Sequence, residues 1–304
     1  MFVNVPIGIL CCLLAPALIR KDAPPVEQRN LDVLGALAST IGLTALVWVL
    51  SEGNFMGWLS ASTIVAALLS IALLVLFVVV EKRAKDPVLR LEVFSDGPWL
   101  GANMTMLLGS AGLVASLFTL SFFLQRGLSI NPVASGLAFL PTSVVFVLTT
   151  NLSSRLVSRL GARSLVASGS IAMAAGFLLY SRMESPSQFL ALYIGGSLLT
   201  GLFGLEIPML FLVAVAGVEP VHRGVASGLL NTSQQVGAAL GLAIATMVGS
   251  MARARLAGGS GEGGPFAAAA PREGFIVCAG FLVTAVLVAI SLMGQKNRPP
   301  EATL

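Results

Sequence analysis

Charge is what this sequence has least of. Only 11% of its 304 residues are Asp, Glu, Lys or Arg, against 56% hydrophobic ones, and the mean hydropathy is +0.91. A soluble globular domain carries about twice that charged share, because its surface has to face water. No soluble fold could hide this much apolar surface. Histidine is scarcer still: His222 stands alone, beside Glu219 and Arg223 in a short turn, and reads as a solvated loop residue. A single histidine leaves metal clusters and Ser-His-Asp chemistry almost without material. The three cysteines, Cys11, Cys12 and Cys278, have neither metal spacing nor a redox motif and read as small apolar residues. With no paired acids and no nucleophile-base set, neither an enzyme, a metal site nor a cofactor is expected.

What the sequence does have is long runs free of charge. They cover Met1 to Ile19, Val33 to Ser51, Gly53 to Val80, Gly97 to Gln125, Gly127 to Ser154, Ser164 to Ser181, Val225 to Ala252 and Gly274 to Gln295, and one from Ser185 to Val218 is broken only by Glu206. About 20 apolar residues cross the hydrocarbon core as a helix, so these are nine candidate spans. Backbone groups in lipid must be satisfied within helices or closed barrels, and continuous apolar runs favour helices over the alternation of barrel strands. The predicted fold class is an all-α polytopic membrane protein. Ala15-Pro16-Ala17 resembles a signal cleavage site, but Arg20 and Lys21 follow the first run where a signal peptide has its positive charge in front.

The basic residues choose an orientation. Of 18 Lys and Arg, five (Arg126, Arg182, Arg253, Arg255 and Arg272) fall on one side of a nine-span chain and the other thirteen on the opposite side. Cytoplasmic loops collect Lys and Arg, so Met1 is expected outside and Leu304 inside a plasma or bacterial inner membrane. The net charge of +4 is thereby explained by topology, with the bilayer rather than nucleic acid as partner. The organisation expected is one helix over residues 1–19, cytoplasmic loops and two linker helices over 20–96, and a six-helix bundle over 97–304. A Gly/Ala/Pro-rich outer loop, 253–273, is expected to be a flexible linker.

Phe2-Val3-Asn4-Val5-Pro6-Ile7-Gly8 resembles the sixth-helix signature of the fourteen-helix drug:proton antiporters of the major facilitator superfamily. Leu31-Asp32-Val33-Leu34-Gly35, Asp86-Pro87, and Gly136 with Pro141 after Asn131-Pro132 fit the same register. The longest match runs from Arg223-Gly224-Val225-Ala226-Ser227-Gly228 through Asn231-Thr232-Ser233-Gln234-Gln235 to Gly237, similar to the opening of that family's thirteenth helix. The resemblance implies a major facilitator fold lacking five N-terminal helices, with the missing N-terminal bundle as a partner. It also makes Arg155, Arg159, Gly161 and Arg163 a remnant of the superfamily's cytoplasmic gating motif, with Ser158 where an Asp is usual.

Glu206 is the one acid in the middle of a span, where an ionised carboxylate costs about 2.5–3.5 kcal/mol on insertion scales. It is a candidate for proton coupling or for binding a cationic substrate; the competing reading is a neutral side chain hydrogen-bonded between helices. In the eighth span Ser227, Gly228, Gln234 and Gln235 lie within about 60° of Asn231 around the helix, one polar face that lines a cavity or bonds to other helices. Gly237, Gly241, Ala245 and Gly249 form an adjacent small stripe, and with Gly224 and Gly228 they are assigned to close helix packing. Asn103 and Thr105, and Gln125 with Arg126 at the outer end of the fourth span, are weaker candidates for the path. Pro141 and Pro208 predict kinks.

The function expected is proton-driven export of small amphipathic or cationic compounds such as drugs, the proton gradient standing in for any cofactor. The alternative is a non-transporting membrane fragment or subunit that pairs with a chain supplying the N-terminal bundle. The orientation is open to test in a background with Cys11, Cys12 and Cys278 replaced. Ser260→Cys should react with an impermeant maleimide on intact cells and Ser158→Cys only after permeabilisation; the reverse pattern would invert the topology.

Overall fold

The computed structural model describes residues 4–18, 33–83, 96–183, 186–216, 218, 223–258 and 272–293. Residues 1–32 and 33–304 form two compact units. The first contains α1 (Asn4–Leu18), with Pro16 in its last turn. In the second follow α2 (Val33–Met56), α3 (Ala61–Arg83), α4 (Gly97–Phe122) and α5 (Pro132–Ala138). Then come α6 (Leu140–Tyr180), α7 (Pro186–Gly201), α8 (Ile207–Val215), α9 (Arg223–Gly258) and α10 (Arg272–Leu292). Each charge-poor run contains helix among the described residues, which include no strand. Five helical stretches, 61–82, 97–127, 132–180, 189–215 and 272–292, are long and apolar enough to cross a membrane. The Gly-rich segment 259–271, the basic segment Lys21 to Asn30 and His222 lie outside the described residues.

Three boundaries differ from the charge pattern. Helix α2 carries Glu52 without interruption and ends instead at Gly57, whose φ of +91° only glycine adopts freely. Ser60 then accepts the Thr63 amide as a cap for α3. The Arg155 to Arg163 segment, read as a loop, is helical except for Gly161 (φ +76°, ψ 156°), which alone divides the fifth span from the sixth. Arginine, leucine and valine sustain a helix, so one glycine does the work of a loop. Third, α9 continues past Arg253 to Gly258.

The second unit is built by packing α4 against α8, α9 and α10, α6 against α7, α8 and α10, and α2 against α3 and α9. Its outside is apolar: Leu68, Val75, Leu148, Leu190, Val283 and Leu287 are all exposed, as lipid-facing helices require. Lipid tails give helices no hydrophobic drive to associate, so close approach has to come from small residues. The α4–α9 contact shows it. A Cβ at Gly237 would stand 2.1 Å from the Leu107 carbonyl oxygen, and one at Gly241 2.1 Å from that of Ala111. Gly224 and Gly228, by contrast, meet nothing within 4 Å among the described residues.

Alanine in a helix is worth about 0.5–1 kcal/mol over glycine, whereas overpacking costs about 1–3 kcal/mol. The obstacle at Gly241 is backbone and cannot rotate away, so the clash should win. Gly241→Ala is expected to lower the melting temperature of the detergent-solubilised protein, and Gly228→Ala to leave it unchanged or raise it. Equal effects at the two positions would refute this packing.

Candidate functional site

The seventh span is a broken helix. Helix α7 ends at Gly201, Leu202–Leu205 form a 3₁₀ turn, and α8 starts at Ile207. Pro208 supplies one cause, because it has no N–H to donate to the carbonyl of Gly204. The turn is held by its neighbours: Glu206 N donates to Phe203 O at 3.0 Å, and the Thr149 hydroxyl on α6 lies 3.0 Å from the Gly201 carbonyl, sharing its one hydrogen between that carbonyl and the Val145 carbonyl of its own helix at 2.8 Å. Irregular backbone at membrane depth is tolerated where protein covers it, and α6 provides that cover here.

Glu206 sits at the end of this turn, with none of its surface exposed. Its side chain enters a slot between α4 and α6 made by two missing side chains. A Cβ at Gly109 would come 3.1 Å from Glu206 Oε1, and one at Gly169 3.2 Å from Glu206 Cβ. Ser170 on α6 donates to Oε2 at 2.6 Å. Oε1 has no hydrogen-bond partner among the described residues. Helices α4, α7 and α8 contain no Lys or Arg, and the nearest arginine of α6, Arg163, is bonded to Ile290, so among the described residues the carboxyl group has one hydroxyl donor and no cation partner. The side chain is thus bonded between helices in this conformation and reaches no solvent-filled space.

The other candidates lie elsewhere. Asn103, buried on α4, accepts from Ser233 of α9 at 3.0 Å and donates to the Trp99 carbonyl at 3.0 Å, next to the Gly237 contact. Thr105 is buried, and its hydroxyl has no partner among the described residues. Gln125 and Arg126 are exposed in a π turn (Phe123–Gly127) at the end of α4, with Gln125 Nε2 3.4 Å from Ser135 Oγ. That turn lies 16 residues, about 24 Å, along the helix from Gly109, so these residues share no site with Glu206. On α9, Asn231 and Gln235 are exposed and Gln234 is half-buried. Arg155 and Arg159 are exposed, while Arg163, just past Gly161, donates to the Ile290 carbonyl in the last turn of α10. There it meets the negative end of a helix.

Sequence reasoning missed Ser170, Gly109 and Gly169. Each is one small residue in an apolar run, and nothing in the chain order pairs them with a glutamate on another helix.

A model of the Major Facilitator Superfamily matches residues 1–242, most of the chain. The chain belongs to the major facilitator superfamily. It is 33% identical over 308 residues to the cephamycin export protein of Amycolatopsis lactamdurans, covering 99% of this chain and 61% of that protein. The puromycin resistance protein of Streptomyces alboniger is 30% identical over 310 residues, again 99% of this chain and 61% of that one. A multidrug resistance protein of Mycobacterium tuberculosis is 28% identical over 243 residues, 80% of this chain and 45% of its own length. The chain therefore spans about three-fifths of the length of the first two relatives. Membership makes it a multi-pass membrane protein of a transporter family and not an enzyme, and the all-helical architecture agrees with an incomplete fold of that superfamily.

If Ser170 is the one donor to the buried carboxyl, Ser170→Ala leaves Glu206 with no partner and should cost about 1–3 kcal/mol of stability. Glu206→Gln keeps an acceptor for Ser170 and should cost less. Melting of the two variants in the same detergent decides it, and the opposite order would refute the pairing.

Proposed function

We propose that this chain works within a secondary carrier that exports small amphipathic or cationic compounds in exchange for protons. Glu206 is the group that takes up and releases the proton. A first helix bundle completes the carrier, and rocking of two bundles about a central site moves the substrate. The observation that carries the reading is the placement of Glu206: an acid inside the membrane, at a helix break, with a single hydroxyl donor and no cation. Intramembrane acids are costly, and that cost is commonly tied to a proton or substrate path. The names of the relatives, which speak of cephamycin export and of puromycin and multidrug resistance, support an antibiotic-like cargo.

The same reading places Met1 outside and the arginines of the Gly161 turn on the cytoplasmic side. There Arg163 holds the end of α10, and Arg155 and Arg159 are free to meet the other bundle as it rocks. Asn231 and Gln235 face the cavity in this picture, because they are exposed and point away from the Gly237 and Gly241 contact with α4, and Gln234, half-buried, stands at the edge of that contact.

In the complete carrier, Glu206→Gln should reduce export driven by a pH gradient by about tenfold or more, equivalent to at least 1.4 kcal/mol on the coupled step. Glu206→Asp should retain part of it. Undiminished, still gradient-driven export by the Gln variant would sink the proposal.

A further inference from the structure

Glu206 is sealed, so if it exchanges protons, as proposed above, it needs a route. Helices α6 and α7 run antiparallel, and their facing residues form a regular series. Tyr180 faces Ser197, with the two hydroxyls 3.0 Å apart. One turn further, Gly176 faces Thr200, where a Cβ on the glycine would stand 2.7 Å from the threonine Oγ1. Two turns beyond that, Ser170 bonds Glu206. Tyr180, Ser197, Thr200, Ser170 and Glu206 are all buried, so the seam carries a series of hydroxyls that leads toward the carboxyl group.

The series has one gap. In chain order Met173 of α6 and Phe203 of the 3₁₀ turn come between the Tyr180, Ser197 and Thr200 hydroxyls and the carboxyl group; they are 0% and 2% exposed and part of one apolar cluster, and the Phe203 ring lies against Gly109 of α4, the glycine that also faces Glu206 Oε1. On either side of this plug is a polar atom with no hydrogen-bond partner of normal geometry among the described residues: Thr200 Oγ1 on one side and Glu206 Oε1 on the other. Buried polar atoms are seldom left unpaired, and water is the usual partner where a path opens. The plug rests on the least regular backbone of the span, since Phe203 belongs to the turn that Pro208 leaves short of a donor.

We infer that the α6–α7 seam is the route by which a proton reaches Glu206 from the Tyr180 end, and that Phe203 is its gate. Ser197, Tyr180 and Thr200 carry the proton along hydroxyls and transient water, and a shift of the Leu202–Leu205 turn withdraws the ring. The proton moves with no change of covalent partner other than its oxygen: it leaves water at the Tyr180 end and arrives on Oε1 or Oε2 of Glu206. Of the helices packed around the seam, α4 and α8 have no titratable side chain, α7 has only Tyr193 at the Tyr180 end, and the second arm of α6 has only Arg163 at the opposite end and Tyr180 itself. Helix α10 adds Arg272 and Glu273 in its first turn and the buried thiol of Cys278, which belongs to the same apolar cluster as Met173 and Phe203.

The test reads proton access directly rather than export. The infrared carboxyl band that disappears in Glu206→Gln isolates this side chain in the purified chain in lipid discs, and its shift on transfer to deuterated buffer gives an exchange rate. Thr200→Val is the informative variant, because it removes an unpaired hydroxyl at nearly constant volume and should leave the melting temperature unchanged. It should slow exchange by about fivefold, the rate equivalent of one hydrogen bond removed from the path. Phe203→Leu should speed it by a similar factor. A purely structural role for these residues predicts no slowing in Thr200→Val. Rates unchanged in both variants, or no carboxyl band assignable to Glu206, would overturn the route. Normal export by Glu206→Gln, with the rates altered as expected, would remove the coupling role and leave the route standing.

Discussion

Within hydrocarbon, a backbone N–H or C=O that loses its helical partner finds no water to replace it, and the rest of this structure follows from that constraint. The helices are long because an unbroken ladder satisfies itself. Where the ladder does break, something has to be supplied. At Gly161 the break is a single residue at the end of a span, and Arg163 just beyond it turns to the Ile290 carbonyl, which α10 leaves unsatisfied at its own end. At Leu202–Leu205 the break lies deep in the bundle, and Thr149 of α6 takes up the Gly201 carbonyl. The breaks are therefore fixed in place by neighbouring helices.

That dependence explains the packing. A helix can serve its neighbour's carbonyls only if it lies close, and lipid offers no hydrophobic effect to push helices together. Small residues bring them within reach: Gly237 and Gly241 let α9 lie against the backbone of α4, and Asn103 and Ser233 bond beside that contact. At Gly109 and Gly169 the space is not closed but filled by Glu206. The same device that packs α4 on α9 thus makes room for a carboxyl group between α4 and α6.

The elements of the fold were readable because a span announces itself: about 20 residues without charge admit few alternatives. Each of the nine runs contains helix among the described residues, five helical stretches being long and apolar enough to cross a membrane, and the small stripe at Gly237 and Gly241 marked a contact. Boundaries were harder where a single residue decides them. Glu52 sits inside α2 although it is charged, since the end of a span near the interface tolerates it, and Gly57 ends the helix instead. The site was half legible. Glu206 stands out in any apolar run, and Pro208 beside it pointed to a broken turn. Its partner Ser170 was invisible, because a lone serine in a membrane helix satisfies itself on its own backbone as readily as it bonds elsewhere, and only the α6–α7 register selects it.

The register also explains why the carboxyl group and the helix break coincide. Placed two turns earlier, at residue 200 in regular α7, a glutamate would face Gly176 from a continuous helix whose side chains move only with the whole span. At residue 206 it hangs from backbone that lacks one donor and leans on a single threonine hydroxyl, so a local change in φ and ψ moves the carboxyl group while α7 and α8 stay helical. A buried acid that must remain buried is best carried by a rigid helix. One that must change its surroundings is best carried by a short irregular turn held by bonds weak enough to exchange, and the chain places Glu206 on the second kind of support.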